Sequence, residues 1–486
     1  MEDPRPPRIA LLSSPGQGHI IPFAELARHL VLRQRIAVTL ITHPADPSAA
    51  VDRALFNNLP DEVDTICLPE FPPNSPNGTT KLETRVFETI KANFPHLRSL
   101  LSSISTSAPL AALVIDTFCI DALDVASELG IPAYLFLTCS CTALSFAFHI
   151  LTLDASFQGE YRDLPEPVRL PGCVPVRGED LFEPVQDRRN EVYNWFVRST
   201  KRFYETKGIL VNSFEDLEPE AVKGLKEADD MPPVYPVGPL VRTAPDEEHE
   251  CLRWLDRQPR GSVVYVCFGS GGTLTCAQTR ELALGLERSG QRFLWVVKSP
   301  HEREVNGTYL GDKGNKNPLD FLPEGFPERT EGVGFLVPSW APQVAVLGHA
   351  STGGFISHCG WNSTLESIMK GVPLIPWPLF AEQRINAAML AEDVEVALRP
   401  KASESGLVER DEIASVVKRL MEGEEGKRLR KRAKELRHAA ACSLGQEGSS
   451  VRATSDVARE WMDRIGGIGG SDGKKNKNKN GYDGRV

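Results

Sequence analysis

The strongest constraint on the fold is that two segments of the chain begin in the same way. Residues 8–13 form a short apolar run, residues 15–19 form a glycine-containing loop, and residues 21–32 carry apolar side chains at helical spacing. The same order restarts at residues 262–267, an apolar run that is followed by a glycine-rich loop at 268–273 and another helical segment. A buried strand that leads through a short loop into a helix is typical of parallel α/β layers. The sequence therefore predicts an α/β protein with two facing Rossmann-like domains and a cleft between them.

The segment between these two halves has the composition of a linker. Residues 231–239 are rich in proline, and residues 243–250 are acidic. The C-terminal end is charged and of low complexity, which is typical of disorder. We therefore predict four parts: an N-terminal domain over 1–240, a C-terminal domain over 241–449, a helix over 450–465 and a disordered tail over 466–486.

Composition and charge disfavour several classes of partner and location. The chain has 486 residues and a net charge of −10, so neither a nucleic acid nor an anionic membrane surface is an expected partner. The N-terminus lacks the pattern of a secretory signal, and the ten cysteines include no C-x-x-C pair, which predicts reduced thiols and a cytoplasmic protein. Residues 131–153 are uncharged and long enough to span a bilayer, but Pro132 and several hydroxyl side chains favour a buried strand at 133–137 and a core helix.

Neither glycine-containing loop matches the dinucleotide-binding fingerprint. That fingerprint needs a third glycine three residues after the second, but Ile21 follows Gly18 at that distance. Leu274 occupies the corresponding position in the second loop. A nicotinamide- or flavin-dependent oxidoreductase is therefore disfavoured.

Two polar residues at the ends of predicted strands are candidates for proton transfer. His19 lies where the first strand leads into its helix, and Asp116 ends the strand at 113–115. Because the carboxyl ends of parallel strands meet at one edge of a sheet, we expect both side chains at the ligand crevice there. An aspartate behind a histidine selects its tautomer and stabilises its charged form. The alternatives are a solvated or helix-capping His19, and an Asp116 that caps the predicted helix at 121–129.

The stretch 340–383 contains a turn that is suited to phosphate binding. The turn lies between a predicted strand and a helix that starts at Ser363. A helix N-terminus presents free N–H groups and the positive end of the helix dipole, so it binds phosphate without a basic field. His358, Asn362 and Ser363 add side-chain donors at the same place.

The same stretch contains groups that are suited to a nucleoside and a sugar. Trp340 follows a predicted strand and can stack on a base, and the carboxylate of Glu366 can accept hydrogen bonds from ribose hydroxyls. Glu382 and Gln383 begin another helix and can bind sugar hydroxyls. Each residue also has an ordinary structural explanation, with Trp340 and Trp361 as core side chains and the others as solvated helix residues. Taken together, polar groups at several strand ends and helix starts favour one ligand site.

The motifs in this stretch resemble the signature of plant family-1 glycosyltransferases, which use UDP-sugars. The signature begins with W-A-P-Q at 340–343, contains H-C-G-W-N-S at 358–363 and Glu366, and ends in Glu-Gln. The resemblance extends over the whole chain except the tail, and it includes the G-x-G-H motif at 16–19 and the D-x-F motif at 116–118. The chain is most similar to the branch that glucosylates small phenols, of the arbutin-synthase or hydroquinone glucosyltransferase type.

This resemblance implies a GT-B fold, with the acceptor bound by the N-terminal half and the UDP-sugar bound by the C-terminal half. It also implies that the last helix packs back on the N-terminal domain. The implied reaction is an inverting transfer of glucose from UDP-glucose to the hydroxyl of a hydroquinone, monolignol, chlorophenol or flavonoid-like acceptor, which yields a β-glucoside. The alternatives are another UDP-sugar, a nitrogen or sulfur acceptor, or a non-catalytic sugar-nucleotide-binding protein.

The resemblance also implies residue roles at the matching positions. His19 is the implied general base, and Asp116 is its partner. The implied donor-binding residues are Ser270, Trp340, Ala341, Gln343, His358, Trp361, Asn362, Ser363, Glu366, Glu382 and Gln383. The implied acceptor-binding residues are Phe118, Thr142, Phe146 and His149. We expect no metal ion and no cofactor, because UDP-glucose is a co-substrate, and we expect a monomer without a membrane span.

Overall fold

Two parallel β-sheets form the framework of the protein, which is described from a computed structural model. The described residues are 8–43, 55–69, 82–242, 248–302 and 317–471. The strands in chain order are β1 Arg8–Leu12, β2 Ala37–Thr42, β3 Val63–Cys67, β4 Leu110–Asp116, β5 Ala133–Leu137, β6 Ile209–Val211, β7 Val234–Pro236, β8 Val263–Cys267, β9 Arg292–Val297, β10 Gly334–Pro338, β11 Thr352–Ser357 and β12 Leu374–Pro376. The first sheet has the order β3-β2-β1-β4-β5-β6-β7, and the second has the order β10-β9-β8-β11-β12. The limits of the predicted domains stay predictions.

Helices cover both faces of each sheet. Their bounds are Gln17–Gln34, Leu82–Ala92, Phe94–Ser107, Ala122–Glu128, Cys141–Ser156, Glu191–Phe203, Pro219–Lys226, Glu250–Leu255, Cys276–Ser289, Phe326–Arg329, Gln343–Gly348, Trp361–Lys370, Gln383–Glu392, Arg410–Met421, Glu424–Ser443 and Ser449–Ser471. Along β1, Ala10 and Leu12 belong to one buried cluster, and Ile9 and Leu11 belong to another. The strand β8 alternates between two clusters in the same way. Burial on both faces is typical of doubly wound α/β sheets, so the predicted fold class is confirmed.

Two helices that carry predicted site residues begin earlier than the sequence indicated. His19 lies in the first turn of Gln17–Gln34 and not in a loop, and Gly16 precedes that helix with a φ of 106°. Ser363 lies inside Trp361–Lys370, two positions after its first residue and not at its start. Apolar spacing does not reveal such first turns, because their N–H groups have no acceptor within the helix and their polar side chains need not face the core.

The last described helix, Ser449–Ser471, lies against the first sheet and the helix Gln17–Gln34. Trp461 is buried there, and its ring lies 5.5 Å from that of Tyr134 in an edge-to-face contact. The helix includes the start of the segment that was predicted to be disordered, because extending an anchored helix costs less than nucleating one. The remainder of that segment, 472–486, lies outside the described residues.

The uncharged stretch 131–153 divides into β5 and most of the helix Cys141–Ser156, as predicted. Ser140 caps this helix by accepting the N–H of Ala143 at 3.0 Å. The buried carboxylate of Glu218 accepts two further N–H groups of the first turn, from Cys141 at 2.9 Å and Thr142 at 2.8 Å. In the part of the chain that the structure describes, no helix is long and apolar enough to cross a membrane.

Candidate active site

His19 and Asp116, which the sequence assigned to one sheet edge, are in direct contact. The Nδ1 atom of His19 lies 2.7 Å from Oδ2 of Asp116, whose side chain is buried. The other carboxylate oxygen, Oδ1, accepts the backbone N–H of Phe118 at 3.0 Å and caps the short 3-10 turn Thr117–Cys119. Asp116 therefore contacts the imidazole as expected, and the alternative that it caps the predicted helix at 121–129 is wrong. It caps the short turn instead, and it orients the imidazole.

Asp116 sets the tautomer and the charge preference of His19. Because an ionised carboxylate can only accept, Nδ1 carries the proton of the neutral imidazole and Nε2 remains the basic nitrogen. Thr138 Oγ1 lies 3.3 Å from the same Nδ1. Burial opposes the charged form, but the charge and hydrogen bond of Asp116, together with the charge of Glu382, outweigh it and raise the pKa of His19. A histidine in this state can act as a general base near neutral pH.

Three half-exposed aromatic residues, Phe87, Phe118 and Trp195, form an aromatic cluster beside this pair. The ring of His19 meets Phe118 edge-on at 5.2 Å between centroids. Phe87 stacks on Trp195 at 3.9 Å, and Phe118 lies 5.4 Å from Trp195. The sequence pointed only to Phe118, because the other two belong to separate helices whose apolar spacing does not distinguish a ligand-facing ring from a core ring. The cluster places flat apolar surface next to a base.

Two of the predicted acceptor residues are buried in the core instead. Thr142 is 1% exposed, and its hydroxyl donates to Glu218 at 2.8 Å. Phe146 is fully buried and packs against Phe182. Neither side chain is open to an acceptor in this structure, so burial disfavours both roles, which stay predictions. The two side chains are buried because their helix is covered on several sides by neighbouring helices. His149 is half-buried, burial lowers the pKa of its imidazole, and its acceptor role stays a prediction.

Trp340 provides an open aromatic face in the second half of the molecule. Its side chain is 47% exposed, which is unusual for tryptophan. The residue before it, Ser339, has a φ of 64°, in the left-handed region that non-glycine residues rarely adopt. The ring of His249 meets the indole edge-on at 6.0 Å, and the neighbouring Ala341 is buried. An exposed indole held beside a tight turn can stack on a flat base.

Gln343, Ser363 and Glu366 form a hydrogen-bonded group. The Nε2 atom of Gln343 donates to Oγ of Ser363 and to Oε2 of Glu366, both at 2.8 Å. Burial raises the pKa of Glu366 to about 7, although the hydrogen bond from Gln343 and the charges of Arg242 and Lys370 oppose this shift. A buried carboxylate of this kind is stabilised by further hydroxyl donors, such as those of a ribose.

His358 is held as a neutral side chain between two glycines. Burial and the positive charge of Lys298 lower the pKa of this histidine to about 3. A Cβ at Gly269 would lie 2.4 Å from its Nε2 atom, and one at Gly360 would lie 2.5 Å from it. The ring is 8% exposed, and its Nδ1 atom has no hydrogen-bond partner among the described residues. A buried polar atom of this kind is stabilised by a ligand that can form a hydrogen bond with it.

Two helix N-termini meet at this end of the site. Asn362, in the first turn of Trp361–Lys370, donates from Nδ2 to the backbone oxygen of Gly18, in the first turn of Gln17–Gln34, at 3.2 Å. Ser270 is exposed on the loop after β8, next to the glycine that packs on the histidine ring. Free N–H groups and helix dipoles together favour an anion here. The residues predicted for phosphate binding are thus brought together.

Trp361 does not offer its indole to a ligand. The side chain is 3% exposed, and its Nε1–H donates to the backbone oxygen of Asn212 in the other half of the chain, at 2.7 Å. The side chain is therefore a core tryptophan, and the sugar contact predicted for this residue stays a prediction. The large ring is more favourably buried between the halves than left in water.

Glu382 and Gln383 are anchored where the helix Gln383–Glu392 begins. The Oε1 atom of Gln383 accepts two backbone N–H groups of the preceding loop, at 2.8 and 3.0 Å, so its amide N–H groups remain as donors. Burial raises the pKa of Glu382, although hydrogen bonds and the attraction of His19 oppose the shift.

Asn386 was not singled out by the sequence, and it joins the two halves at the sugar end. It is fully buried, and its Nδ2 atom donates to Glu382 at 3.2 Å and to the backbone oxygen of Cys359 at 3.0 Å. Its Oδ1 atom accepts the hydroxyl of Ser140 at 3.2 Å. An amide on a buried helix face carries no local signal that its partner lies far away in the chain.

Comparison with known proteins bears on this site. The family description "UDP-glucoronosyl and UDP-glucosyl transferase" matches residues 230–431. The chain is 49% identical to UDP-glycosyltransferase 72B1 of Arabidopsis thaliana over 468 residues, which cover 95% of this chain and 97% of that protein. It is 48% identical to the hydroquinone glucosyltransferase of Rauvolfia serpentina, with 94% and 98% covered.

Solved structures of similar proteins share the fold. UGT2 of Phytolacca americana, complexed with UDP-2fluoro-glucose and pterostilbene, superposes with a TM-score of 0.86 at 46% identity, covering 94% of this chain and 100% of that one. A UDP-glucosyltransferase of Polygonum tinctorium that is capable of glucosylating indoxyl, complexed with 3,4-dichloroaniline, superposes with a TM-score of 0.87 at 45% identity, covering 95% and 99%. The GT-B fold that the resemblance implied is therefore confirmed.

Proposed function

Because this chain belongs to that family of UDP-glycosyltransferases, in the plant family-1 branch of phenol glucosyltransferases, we propose that it transfers glucose from UDP-glucose to the hydroxyl of a small phenol. The observation that carries this proposal is the contact of His19 with Asp116 beside the aromatic cluster. A base with a free Nε2 atom next to stacking rings suits an acceptor that is flat and weakly acidic. The hydroquinone glucosyltransferase and the pterostilbene complex support this acceptor class.

In this proposal, His19 takes the proton of the acceptor. A phenol has a pKa of about 10, so it is mostly protonated at neutral pH. As its oxygen bonds to the anomeric carbon, the proton passes to Nε2, and Asp116 stabilises the resulting imidazolium. General-base catalysis contributes roughly 10²–10⁴-fold to the rate. The raised pKa of His19 brings its basicity closer to that of the phenolate, which favours the transfer.

The donor is proposed to bind along the second half of the site. The exposed face of Trp340 stacks on uracil, and the ribose hydroxyls donate to Glu366, which Gln343 orients. The glucose hydroxyls bind Glu382 and the amide N–H groups of Gln383. A donor that carries hydroxyls at these positions should bind more tightly than a deoxy analogue. The analogue would leave a buried acceptor without a hydrogen-bond partner, which costs binding free energy.

The proposed displacement inverts the anomeric carbon. The acceptor approaches from the N-terminal half while UDP lies on the C-terminal half, so the phenol oxygen attacks the face opposite to the diphosphate. The bond from the anomeric carbon to the diphosphate oxygen breaks, and that oxygen keeps the electron pair. The N-terminus of Trp361–Lys370, with His358 and Asn362, stabilises the charge that develops there. The product is a β-glucoside.

The test is an assay of the purified protein with UDP-glucose and hydroquinone. Mass spectrometry identifies the product, and proton nuclear magnetic resonance assigns its anomeric configuration. We expect the product to be the β-glucoside of hydroquinone. An α-glucoside would contradict inversion. Preferred use of UDP-xylose or UDP-galactose would contradict the assignment of UDP-glucose as the donor. The phenol proposal would fail if hydroquinone, a monolignol, a chlorophenol and a flavonol were all left unmodified.

The proposal includes catalysis without a metal ion, since helix N-termini and side-chain donors surround the diphosphate position. The same assay in excess EDTA should proceed at its full rate. A loss of activity that Mg²⁺ restores would contradict this part of the proposal. Monomeric state and cytoplasmic location stay predictions.

Transfer to an aromatic amine is a second candidate, and one specific observation favours it. The similar Polygonum tinctorium enzyme was solved with 3,4-dichloroaniline. An aniline nitrogen attacks with its own lone pair and loses its proton afterwards, so it depends less on a general base. A His19→Gln variant that retains more activity toward 3,4-dichloroaniline than toward hydroquinone would support this second activity. The alternative of a non-catalytic protein does not agree with the family, whose members are transferases.

A further inference from the structure

Lys298 is a half-buried cation at the diphosphate end of the site, and the sequence analysis did not single it out. It follows β9 directly and therefore lies at the carboxyl edge of the second sheet. Its Nζ atom donates to the backbone oxygens of Gly269 and Ser270, the second at 2.6 Å. Buried lysines usually pair with carboxylates, but the recorded partners here are neutral carbonyl groups. The positive charge is therefore not cancelled by either partner.

These two hydrogen bonds orient consecutive peptide planes of the loop after β8. The carbonyl and the N–H of one trans peptide point in opposite directions. Since Lys298 holds the carbonyls of Gly269 and Ser270, the N–H groups of Ser270 and Gly271 point away from the ammonium group. Successive N–H groups that point the same way form a concave anion-binding site.

The same loop packs directly on His358. Gly269 has a φ of 73°, and a Cβ there would lie 2.4 Å from Nε2 of the histidine, so both the conformation and the space require glycine. His358 is 8% exposed, and its Nδ1 atom has no partner among the described residues. Lys298, the loop and the histidine ring therefore form one packed unit around a polar atom that lacks a partner.

We propose that Lys298 is a positioning residue for the diphosphate of UDP, which holds the N–H groups of Ser270 and Gly271 toward it and adds positive charge behind them. The inference rests on the proposed donor site. The charge matters because departing UDP gains negative charge, while His358 is neutral and a helix N-terminus supplies only about half an elementary charge. Lys298 acts through the loop and does not itself touch the reacting atoms.

The affinity of this site for UDP should depend on pH. Burial lowers the pKa of Lys298 to about 8, and Cys267 opposes this shift. Among the described residues, the titratable groups that interact with the ammonium are Cys267, at the end of β8, and His358, which stays neutral because its pKa is about 3. As the pH rises through about 8, the ammonium loses its charge, so UDP affinity should fall. An arginine at this position stays charged, so the decline should disappear in Lys298→Arg.

The test measures the binding of UDP and of uridine by titration calorimetry. The proteins are the wild type, Lys298→Met, Lys298→Arg and the control Lys427→Met, which changes an exposed lysine paired with Glu424. We expect Lys298→Met to weaken UDP binding about 10- to 100-fold, because charge-assisted hydrogen bonds are lost. Uridine, which lacks phosphates, should bind within about twofold of wild type. Lys298→Arg should restore most of the UDP affinity.

Several outcomes would overturn the proposal. One is unchanged UDP affinity in a folded Lys298→Met protein, and another is an equal loss for UDP and uridine, which would indicate collapse of the whole site. If thermal unfolding shows that Lys298→Met does not fold, the pH series decides. Wild-type UDP affinity that stays constant through pH 8, or an alkaline decline that persists in Lys298→Arg, would then overturn the proposal. These binding measurements need no acceptor, so a failure of the phenol-transfer proposal leaves them valid.

Discussion

The two histidines of the site occupy similar positions and have opposite properties. His19 lies in the first turn of the helix after β1, and His358 lies just before the helix Trp361–Lys370, after β11. Asp116 raises the pKa of the first, whereas burial and Lys298 lower the pKa of the second to about 3. One imidazole is therefore suited to accept a proton, and the other to donate a hydrogen bond without charge. Asp116 ends β4, which lies next to β1 in the first sheet, whereas Lys298 follows β9, which β8 separates from β11 in the second.

The proposed chemistry needs both halves of the molecule. The N-terminal half holds a base and aromatic surface, and the C-terminal half holds neutral donors, helix N–H groups and a buried cation. Direct hydrogen bonds from Trp361 to Asn212 and from Asn362 to Gly18 join the halves next to these groups. Changes on either side should therefore affect different measurable steps.

Removal of the base should have the largest effect. In His19→Gln the amide of glutamine is not basic and cannot replace the imidazole Nε2, so kcat with hydroquinone should fall about 10²–10⁴-fold. UDP affinity, which depends on the other half, should change by less than about twofold. Steady-state kinetics and calorimetry measure the two quantities. The control is His349→Gln, whose imidazole contacts Asp256, and it should behave as wild type. Full turnover of His19→Gln with a phenol would refute the base assignment.

Asp116→Asn should reduce the rate less and shift its pH dependence. Loss of the charged hydrogen bond should lower kcat at neutral pH about 10- to 100-fold. Wild-type activity should decline as the pH falls through the raised pKa of His19, because the imidazolium cannot accept a proton. Without the carboxylate that pKa falls, so the decline should move to lower pH. His358→Gln should leave the decline in place, and an unmoved decline in Asp116→Asn would contradict the assigned cause.

Glu366 should make uridine binding depend on pH near neutrality. Because burial raises its pKa to about 7, the carboxylate is ionised above this pH and protonated below it. Uridine affinity should therefore fall about 3- to 10-fold as the pH decreases through 7, since the protonated group accepts ribose hydroxyls less well. Calorimetry at several pH values measures this change. Glu366→Gln should bind more weakly and without the pH dependence, and a pH dependence that persists in that variant would exclude Glu366 as its source.

The smallest effect is expected in the aromatic cluster. Trp195→Leu should raise the KM for hydroquinone about 2- to 5-fold, because an aromatic contact contributes about 0.5–1.5 kcal/mol. Phe146→Leu is the matched control, since that ring was predicted to contact the acceptor but lies in the core. It should lower the free energy of unfolding by about 1–2 kcal/mol and leave KM unchanged. If Phe146→Leu raised KM and Trp195→Leu left it unchanged, the acceptor would bind away from the aromatic cluster.

Local patterns predicted much of this molecule. Strand, loop and helix follow from apolar spacing over a few residues, so both sheets and the turn before Trp361–Lys370 were expected. His19 and Asp116 lie 97 positions apart, yet their contact was predicted, because His19 follows one strand of a parallel sheet and Asp116 ends another. The rule that the carboxyl ends of parallel strands meet at one edge of a sheet was enough to predict this contact.

Contacts between elements were less predictable. Phe87 and Trp195 lie on amphipathic helices, and helical spacing shows which face is apolar but not whether that face meets the core or a cleft. For the same reason Phe146 was expected at the acceptor and is buried. Asn386 and Ser140 meet across 246 positions of sequence, and no local pattern indicates such a contact.

The sequence by itself determined the architecture, the positions along the chain of the strands that bear the site and the residues at their ends, because these depend on short-range periodicity. Only the tertiary structure decided which histidine is basic, which tryptophan is open and which lysine is held behind the glycine loop. A pKa or an exposed face depends on charges and surfaces within a few ångströms, and packing brings these together from distant parts of the chain.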